Sequence, residues 1–360
     1  MIVIADDITG AAEIAGIAFS KGHQVRLVCG GSVCCDNVAA QTTQTTVIAT
    51  DTRSISEAEA IAETRRITSA FSLQPSAFFK KTDSALRGHV VAELEALMQA
   101  TGYKRAVYMP ANPSKGRIIK DGIYFINGKP IHETDFSFDP EFPAKTSVLR
   151  ERFPDAEAKG IIMPDAGSEE DIRQVIATYG DGKTIFAGAA DLFSALLNAT
   201  HGDRPSDSSL RFSNHGVSPH DSLILCGSTQ SKPLDLGIPI APMPRDIYDG
   251  NDDISLWDTS EYAKAHSLIL TMPFTHRTGK EVAVHLRTMM AQKAKELIAQ
   301  HTPSQLIIEG GATAWASLQA LGWTQFRIER QIAPGVVQMS ATNGTLVTLK
   351  PGSYPWGNLF

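Results

Sequence analysis

Cysteine is scarce in this sequence: Cys29, Cys34, Cys35 and Cys226 are the only ones in 360 residues. Cys34 and Cys35 are adjacent, which is not the C-x-x-C spacing of a zinc site, so the reading is free thiols in a reducing compartment. Basic charge is not in excess either. Lys and Arg number 33 against 39 Asp and Glu, a formal net charge of −6. That argues against a nucleic-acid-binding surface while leaving room for a local basic pocket. No apolar run approaches the ~18 residues needed to cross a bilayer, and the chain opens on a strand pattern rather than on the basic leader of a signal peptide. No nucleic acid and no membrane are expected as partners, and the expected location is the cytoplasm. Neither G-x-x-x-x-G-K-[ST] nor G-x-G-x-x-G occurs, so a Walker loop and a dinucleotide fingerprint are both missing, which counts against a dehydrogenase. There is no internal repeat and no low-complexity tract.

What is present is a regular alternation. A chain of this length suggests two domains, because single cores stop growing near roughly 250–300 residues. β-rich apolar runs fall at residues 2–5, 25–28, 47–49, 77–79, 106–109, 160–163 and 184–187. Helical patterns lie between them. One, residues 88–100, places Val90, Leu94, Leu97 and Met98 on one face; another opens at Ser168 with acids in its first turn. Residues 199–221 are polar and rich in Gly, Pro and Ser, and read as a linker. Beyond it come strands at 222–226, 267–271 and 306–308, helices at 281–299 and 313–321, and a hairpin turned at Asn343-Gly344. The expected fold is α/β, with two α/β domains at residues 1–210 and 220–360 and mostly parallel or mixed sheets covered by helices.

Strand ends are where ligands bind in such folds, and several here carry chemistry. The first run stops at Asp6-Asp7-Ile8-Thr9-Gly10, more acid than one helix cap needs. The run at 77–79 leads into Lys80-Lys81-Thr82-Asp83-Ser84-Ala85-Leu86-Arg87-Gly88, where cations and a helix start suit a carboxylate or phosphate. The run at 47–49 is followed by Asp51-Thr52-Arg53, whose guanidinium suits a substrate carboxylate. The long stretch 109–140 contains Asn112, Lys115, Arg117, His132 and Glu133; a metal reading of the adjacent His132 and Glu133 is poor. In the second half, strands end in Gly227-Ser228 and in Gly310-Gly311, where backbone N–H groups can approach phosphate oxygens.

These stretches, "ADDITGA", "TDTR", "KKTDSALRG", "PANPSKGR", "GIYFINGKPIHET", "GSTQS", "IIEGGATA" and "IAPGV", resemble the four-carbon acid sugar kinase family, and the resemblance runs in order from residue 2 to about 352. It implies an ATP-dependent kinase of a tetronate-type sugar acid, with the sugar acid held by the N-terminal domain, the nucleotide by the C-terminal one, and the active site in the interdomain cleft. It implies a sugar-acid pocket lined by Asp6, Asp7, Thr9, Gly10, Arg53, Lys81, Asp83, Ser84 and Arg87, with Asn112 and Arg117 beside them. Ser228, Gly310, Gly311, Ala312, Thr313 and Gly352 match the positions that contact ATP. Departures lie at Ala312, where relatives commonly carry an acid, and at the Lys350-Pro351-Gly352-Ser353 ending.

The reading is therefore a kinase using ATP and Mg²⁺, with the metal held largely by phosphate and water, by one carboxylate at most, and by no protein metal cage. Its catalytic carboxylates are Asp83 and Asp7. Asp83 is favoured as the proton acceptor, because Asp7 stands at a helix start, where orienting hydrogen bonds are its best use. A homodimer is a possible assembly. The rival reading is a non-catalytic sugar-acid-binding or sensor protein with a weakened nucleotide domain, supported by the departures at Ala312 and Pro351.

Overall fold

The computed structural model describes residues 1–30, 44–71, 77–139, 141–201, 220–227, 234–273 and 279–352. Cys34, Cys35, Ser228 and most of the 199–221 stretch lie outside the described residues. Two compact units are present, Met1–Ser206 and Asp207–Phe360.

The first unit alternates strand and helix: β1 (Ile2–Ala5), α1 (Ile8–Ser20), β2 (Gln24–Cys29), β3 (Gln44–Ala49), α2 (Glu57–Ser69), β4 (Phe78–Lys81), α3 (Val90–Thr101) and β5 (Arg105–Met109). A small antiparallel sheet follows, β6 (Arg117–Lys120), β7 (Ile123–Ile126) and β8 (Lys129–Pro130). Then come α4 (Leu149–Arg152), β9 (Ile161–Ile162), α5 (Glu169–Tyr179), β10 (Thr184–Gly188) and α6 (Ala190–His201). The main strands lie in the order β2-β3-β1-β4-β10-β5-β9 and every pairing is parallel. β1, β3, β4, β5 and β10 are largely buried, as expected of strands covered on both faces. Val90, Leu94, Leu97 and Met98 are buried along α3. Ser168 caps α5 through a capping box with Asp171.

Sequence patterning places the fourth strand at residues 77–79, but it runs from Phe78 to Lys81. Lys80 and Lys81 are therefore strand residues rather than loop residues, and both are buried. Their charges find carboxylate partners, which is what lets two lysines occupy a strand end. Asn127-Gly128 turns the β7–β8 hairpin as its dipeptide predicts.

The second unit contains β11 (Ser222–Cys226), β12 (Ile240–Pro242), α7 (Arg245–Tyr248), α8 (Glu261–Ala265), β13 (Leu268–Thr271), α9 (Lys280–Gln300), β14 (Gln305–Glu309), α10 (Gly311–Leu321), β15 (Gln325–Ala333), β16 (Val336–Ala341) and β17 (Leu346–Lys350). The run β12-β13-β11-β14-β17 is parallel, and β16 and β15 continue it antiparallel, so this sheet is mixed. α10 begins at Gly311, two residues before the expected start at Thr313, and ends as expected at Gly322 in the left-handed conformation. Cys29 and Cys226 are buried free thiols. Burial holds Cys226 in its neutral form, its pKa pushed up to about 12.

Candidate functional site

In the first unit, β3 and β4 flank β1, so the chain places strands on both sides of its first one. A ligand crevice is expected at the carboxyl ends of strands at such a reversal. The register puts Ala5 level with Ala49 and with Lys81. Asp6-Asp7, Asp51-Thr52-Arg53 and Thr82-Asp83 therefore leave the sheet side by side. Asp7 caps α1: its Oδ1 accepts the Gly10 N–H at 3.1 Å, and its Oδ2 accepts the Thr9 hydroxyl. A side chain at position 10 would put a Cβ 2.5 Å from Asp7 Oδ1 and 3.2 Å from Lys81 Nζ, so glycine is needed for the close approach.

Arg53 binds this acid pair together. Its Nε donates to Asp6 Oδ2 at 3.0 Å, its Nη2 donates to Asp7 Oδ1 at 3.0 Å, and Nη2 lies 4.0 Å from Asp83 Oδ1. The guanidinium predicted to face a substrate carboxylate is thus committed to protein carboxylates. Arg87 grips Asp83 bidentately, Nε to Oδ2 at 2.7 Å and Nη2 to Oδ1 at 3.2 Å, and Asp83 Oδ2 also accepts the Ala85 N–H at 3.1 Å. The Asp83–Gly88 turn carries Leu86 at φ +62° and Gly88 at φ +93°. A buried leucine in the left-handed region is strained backbone of the kind found at functional sites.

Proton affinities diverge accordingly. Burial alone would raise the pKa of Asp83, but Arg53, Arg87 and Lys81 outweigh it and hold this carboxyl well below the usual range. Burial also opposes ionisation of Asp7, where Arg53, Lys81 and the Thr9 hydrogen bond prevail and lower it. Asp6 goes the other way: burial outweighs Arg53 and raises it, and its Oδ1 is buried without a hydrogen-bond partner.

A second layer lies beneath. Lys80 Nζ pairs with Glu93 Oε1 at 2.9 Å, with the two side chains 0% and 1% exposed. Glu93 Oε1 also accepts Thr52 Oγ1–H at 2.6 Å. Thr52 precedes Arg53, so this ion pair anchors the Arg53 turn from below. On the α1 side, Glu13 receives Lys115 at 2.6 Å and Lys81 at 3.7 Å. Sequence reading singled out neither Glu13 nor Glu93. Glu93 sits three residues after Val90 and four before Leu97, on the apolar face of α3, and a lone acid on such a stripe signals a buried partner.

The 109–140 stretch splits between two roles. Asn112 is buried and its Oδ1 accepts the Asp191 N–H at 3.0 Å, while its backbone pairs with Arg117. It serves the fold and is not brought into the charged cluster. Arg117 reaches it: Nη1 donates to Ser84 Oγ. The Phe136 ring lies against both Arg117 and Arg87, with guanidinium carbons 5.7 and 5.9 Å from its centroid, and Asp139 lies 3.5 Å from Arg87. No periodicity marks Phe136 or Asp139 in the sequence.

In the second unit, Glu309 and Lys350 end the adjacent strands β14 and β17 and form a buried ion pair. Glu309 Oε2 has no hydrogen-bond partner. Gly310 is the N-cap of α10 and makes no side-chain cap hydrogen bond; the first N–H groups of such a helix, here at Gly311, Ala312 and Thr313, suit an anion. Ala312 is exposed, and Thr313 is buried. Gly227 at the end of β11 lies so close to Thr313 that a Cβ there would be 1.9 Å from Oγ1. Gly352 contributes its carbonyl to Lys350 Nζ at 3.4 Å. Among the described residues, no group of three or more His, Cys, Asp or Glu is arranged to hold a metal ion, and no helix is long and apolar enough to cross a membrane.

Comparison with known proteins divides the chain similarly. Residues 1–155 match a sugar-binding N-terminal domain family and residues 250–354 a nucleotide-binding C-terminal domain family. The chain is 29% identical to the D-threonate kinase of Salmonella typhimurium over 54% of its own length and 53% of that protein, so it spans about half of this relative. It is 26% identical to the 3-oxo-tetronate kinase of Brucella melitensis over 98% of its own length and 92% of that protein. A crystal structure of a Haemophilus influenzae protein covers 100% of this chain and 98% of its own, with a TM-score of 0.72 at 21% identity, which establishes the shared fold.

Proposed function

We propose that the chain is a member of the four-carbon acid sugar kinase family and transfers a phosphoryl group from ATP to a hydroxyl of a four-carbon sugar acid of the tetronate or 3-oxo-tetronate type. The observation that carries this is the pairing, in one chain, of a sugar-binding and a nucleotide-binding family domain. The first has guanidinium groups at its strand ends. The second has at its strand end a helix N-terminus whose N-cap makes no side-chain hydrogen bond, a setting that suits an anion. Phosphoryl transfer needs positioning and charge neutralisation more than covalent chemistry.

In this reading the first unit holds the sugar acid. Asp6, Asp7, Thr9, Gly10 and Arg53 form a fixed polar floor; Lys81, Arg87 and Arg117 supply its cationic side, with the Ser84 hydroxyl accepting from Arg117. The α10 N-terminus at Gly310, Gly311, Ala312 and Thr313, with Gly352 and Ser228, holds the nucleotide phosphates. Glu309, a hard oxygen donor with one free atom, fits Mg²⁺ held mainly by phosphate and water. When bound, the metal would neutralise phosphate charge.

Asp83 is our assignment for the proton acceptor. Its pairing with Arg87 keeps it ionised, and low basicity is tolerable because proton transfer is late in a loose phosphoryl-transfer transition state. Asp83→Asn should lower turnover by about 10²–10⁴-fold with sugar-acid affinity largely kept, whereas Asp7→Asn should chiefly damage binding; the reverse pattern would move the acceptor to Asp7. The function itself is tested by following ADP release from purified protein with Mg-ATP against a panel of tetronates and 3-oxo-tetronates. No turnover on any of them would refute it.

A further inference from the structure

Arg53, Lys81, Arg87, Lys115 and Arg117 all bring positive charge to the strand ends of the first unit, but they are not equivalent. Arg53 is matched to Asp6 and Asp7. Lys81 and Lys115 share Glu13. Arg87 is matched to Asp83, with Asp139 at 3.5 Å. Arg117 has no carboxylate partner among the described residues. Its contacts are a hydroxyl, Ser84 Oγ, and the face of the Phe136 ring. A hydroxyl and a ring face orient a guanidinium but leave its charge without a counterion, and its remaining N–H groups stay available for a planar anion.

Its surroundings are rigid. Ser84 is fixed through its own carbonyl, which accepts the Tyr124 hydroxyl, and Arg117 itself opens β6 and pairs with Ile126. The same Phe136 ring carries Arg87, so one aromatic side chain sets the spacing of two guanidinium groups.

We infer that Arg117, not Arg53, receives the substrate's carboxylate, that Ser84 and Phe136 position it, and that this guanidinium is what selects a sugar acid over a neutral sugar of the same length. The inference rests on the sugar-acid reading of the first unit. It adds which residue reads the acid group and why. An unmatched cation favours an anionic ligand over its neutral analogue, whereas a cation already neutralised by protein carboxylates offers no such preference.

The test is calorimetric titration of the full chain, without nucleotide, with D-erythronate and D-threonate and with the neutral tetritols erythritol and threitol. The wild type should bind at least one tetronate more tightly than its tetritol. In Arg117→Gln the tetronate should weaken by about 10- to 150-fold, the worth of a charge-assisted hydrogen-bonded pair, while tetritol affinity stays unchanged. Arg117→Lys, which keeps the charge and loses the fork, should fall between. Phe136→Leu should weaken the tetronate alone. An acid-to-polyol preference preserved in Arg117→Gln and Arg117→Lys would overturn the inference while leaving the sugar-acid reading intact. A wild type that binds none of the tetronates and 3-oxo-tetronates of the activity panel would overturn that reading and the inference with it.

Discussion

The Lys80–Glu93 pair offers the sharpest test of how the charged strand ends of the first unit are supported. Both side chains are essentially inaccessible, so neither charge can turn to water if its partner is removed. Lys80→Met would leave the Glu93 carboxylate with only the hydroxyl donors of Thr52 and Thr64, at 2.6 and 3.5 Å. Breaking a buried ion pair on one side costs about 3–5 kcal/mol. The first unit extends from Met1 to Ser206, and a domain of that size loses roughly 2–4 °C per kcal/mol, so its melting should fall by about 6–20 °C by scanning calorimetry. The double variant Lys80→Met/Glu93→Gln removes both charges yet keeps a carbonyl acceptor for Thr52, and it should recover most of the loss. Because Thr52 precedes Arg53, the single variant should also weaken sugar-acid binding. A single variant that melts within about 2 °C of wild type, with no recovery in the double, would show that this pair does not support the site.

Other outcomes follow from the same geometry. Gly227→Ala would drive a Cβ into Thr313, so it should displace the start of α10 and weaken Mg-ATP in a binding titration by more than about tenfold while leaving sugar-acid binding unchanged. Asp7, Glu13 and Asp83 are all held below their ordinary pKa; their stabilising contribution is whole above about pH 5 and is lost as pH falls through their native values. Thermal stability should therefore drop between about pH 5 and pH 3, less steeply in Asp83→Asn. Asp6, raised by burial, works in the opposite sense and relieves part of its cost on acidification.

How much of this was legible before the structure depends on the kind of signal. Runs such as Ile2–Ala5 and Arg105–Met109 are fully buried or nearly so, so apolar composition marked them. The strand Phe78–Lys81 ends two residues beyond its apolar run because its last two positions are lysines, and only their tertiary partners make them strand residues. The acidic and cationic motifs of the first unit were visible, but their pairing was not. Arg53 and Arg117 look alike as sequence, yet among the described residues only Arg53 is matched to carboxylates. Phe136 acts through a contact across many residues of chain, which leaves no local pattern. The third strand of the antiparallel part, Gln325–Ala333, is interrupted by register shifts, so its alternation fades in the sequence.

The rival reading, a binder with a weakened nucleotide domain, draws on side-chain departures at Ala312 and Pro351, and the local physics makes both mild. A phosphate at a helix start is held by backbone N–H groups and the helix dipole, neither of which needs a side chain at position 312. Ala312 is exposed in the first turn of α10; an acid there would complement the dipole but would also repel a bound phosphate. Pro351 lacks an N–H, yet its carbonyl still accepts Lys350 Nζ at 3.2 Å, and Gly352 does so at 3.4 Å. The Glu309–Lys350 pair thus keeps its setting at the ends of β14 and β17 despite the altered ending. The substitutions that would weaken the domain are those reaching the backbone approach of Gly227 to Thr313 or the charge at Glu309. Restoring an acid with Ala312→Asp should therefore leave Mg-ATP affinity unchanged or lower it by binding titration. A marked gain would instead favour the weakened-domain reading.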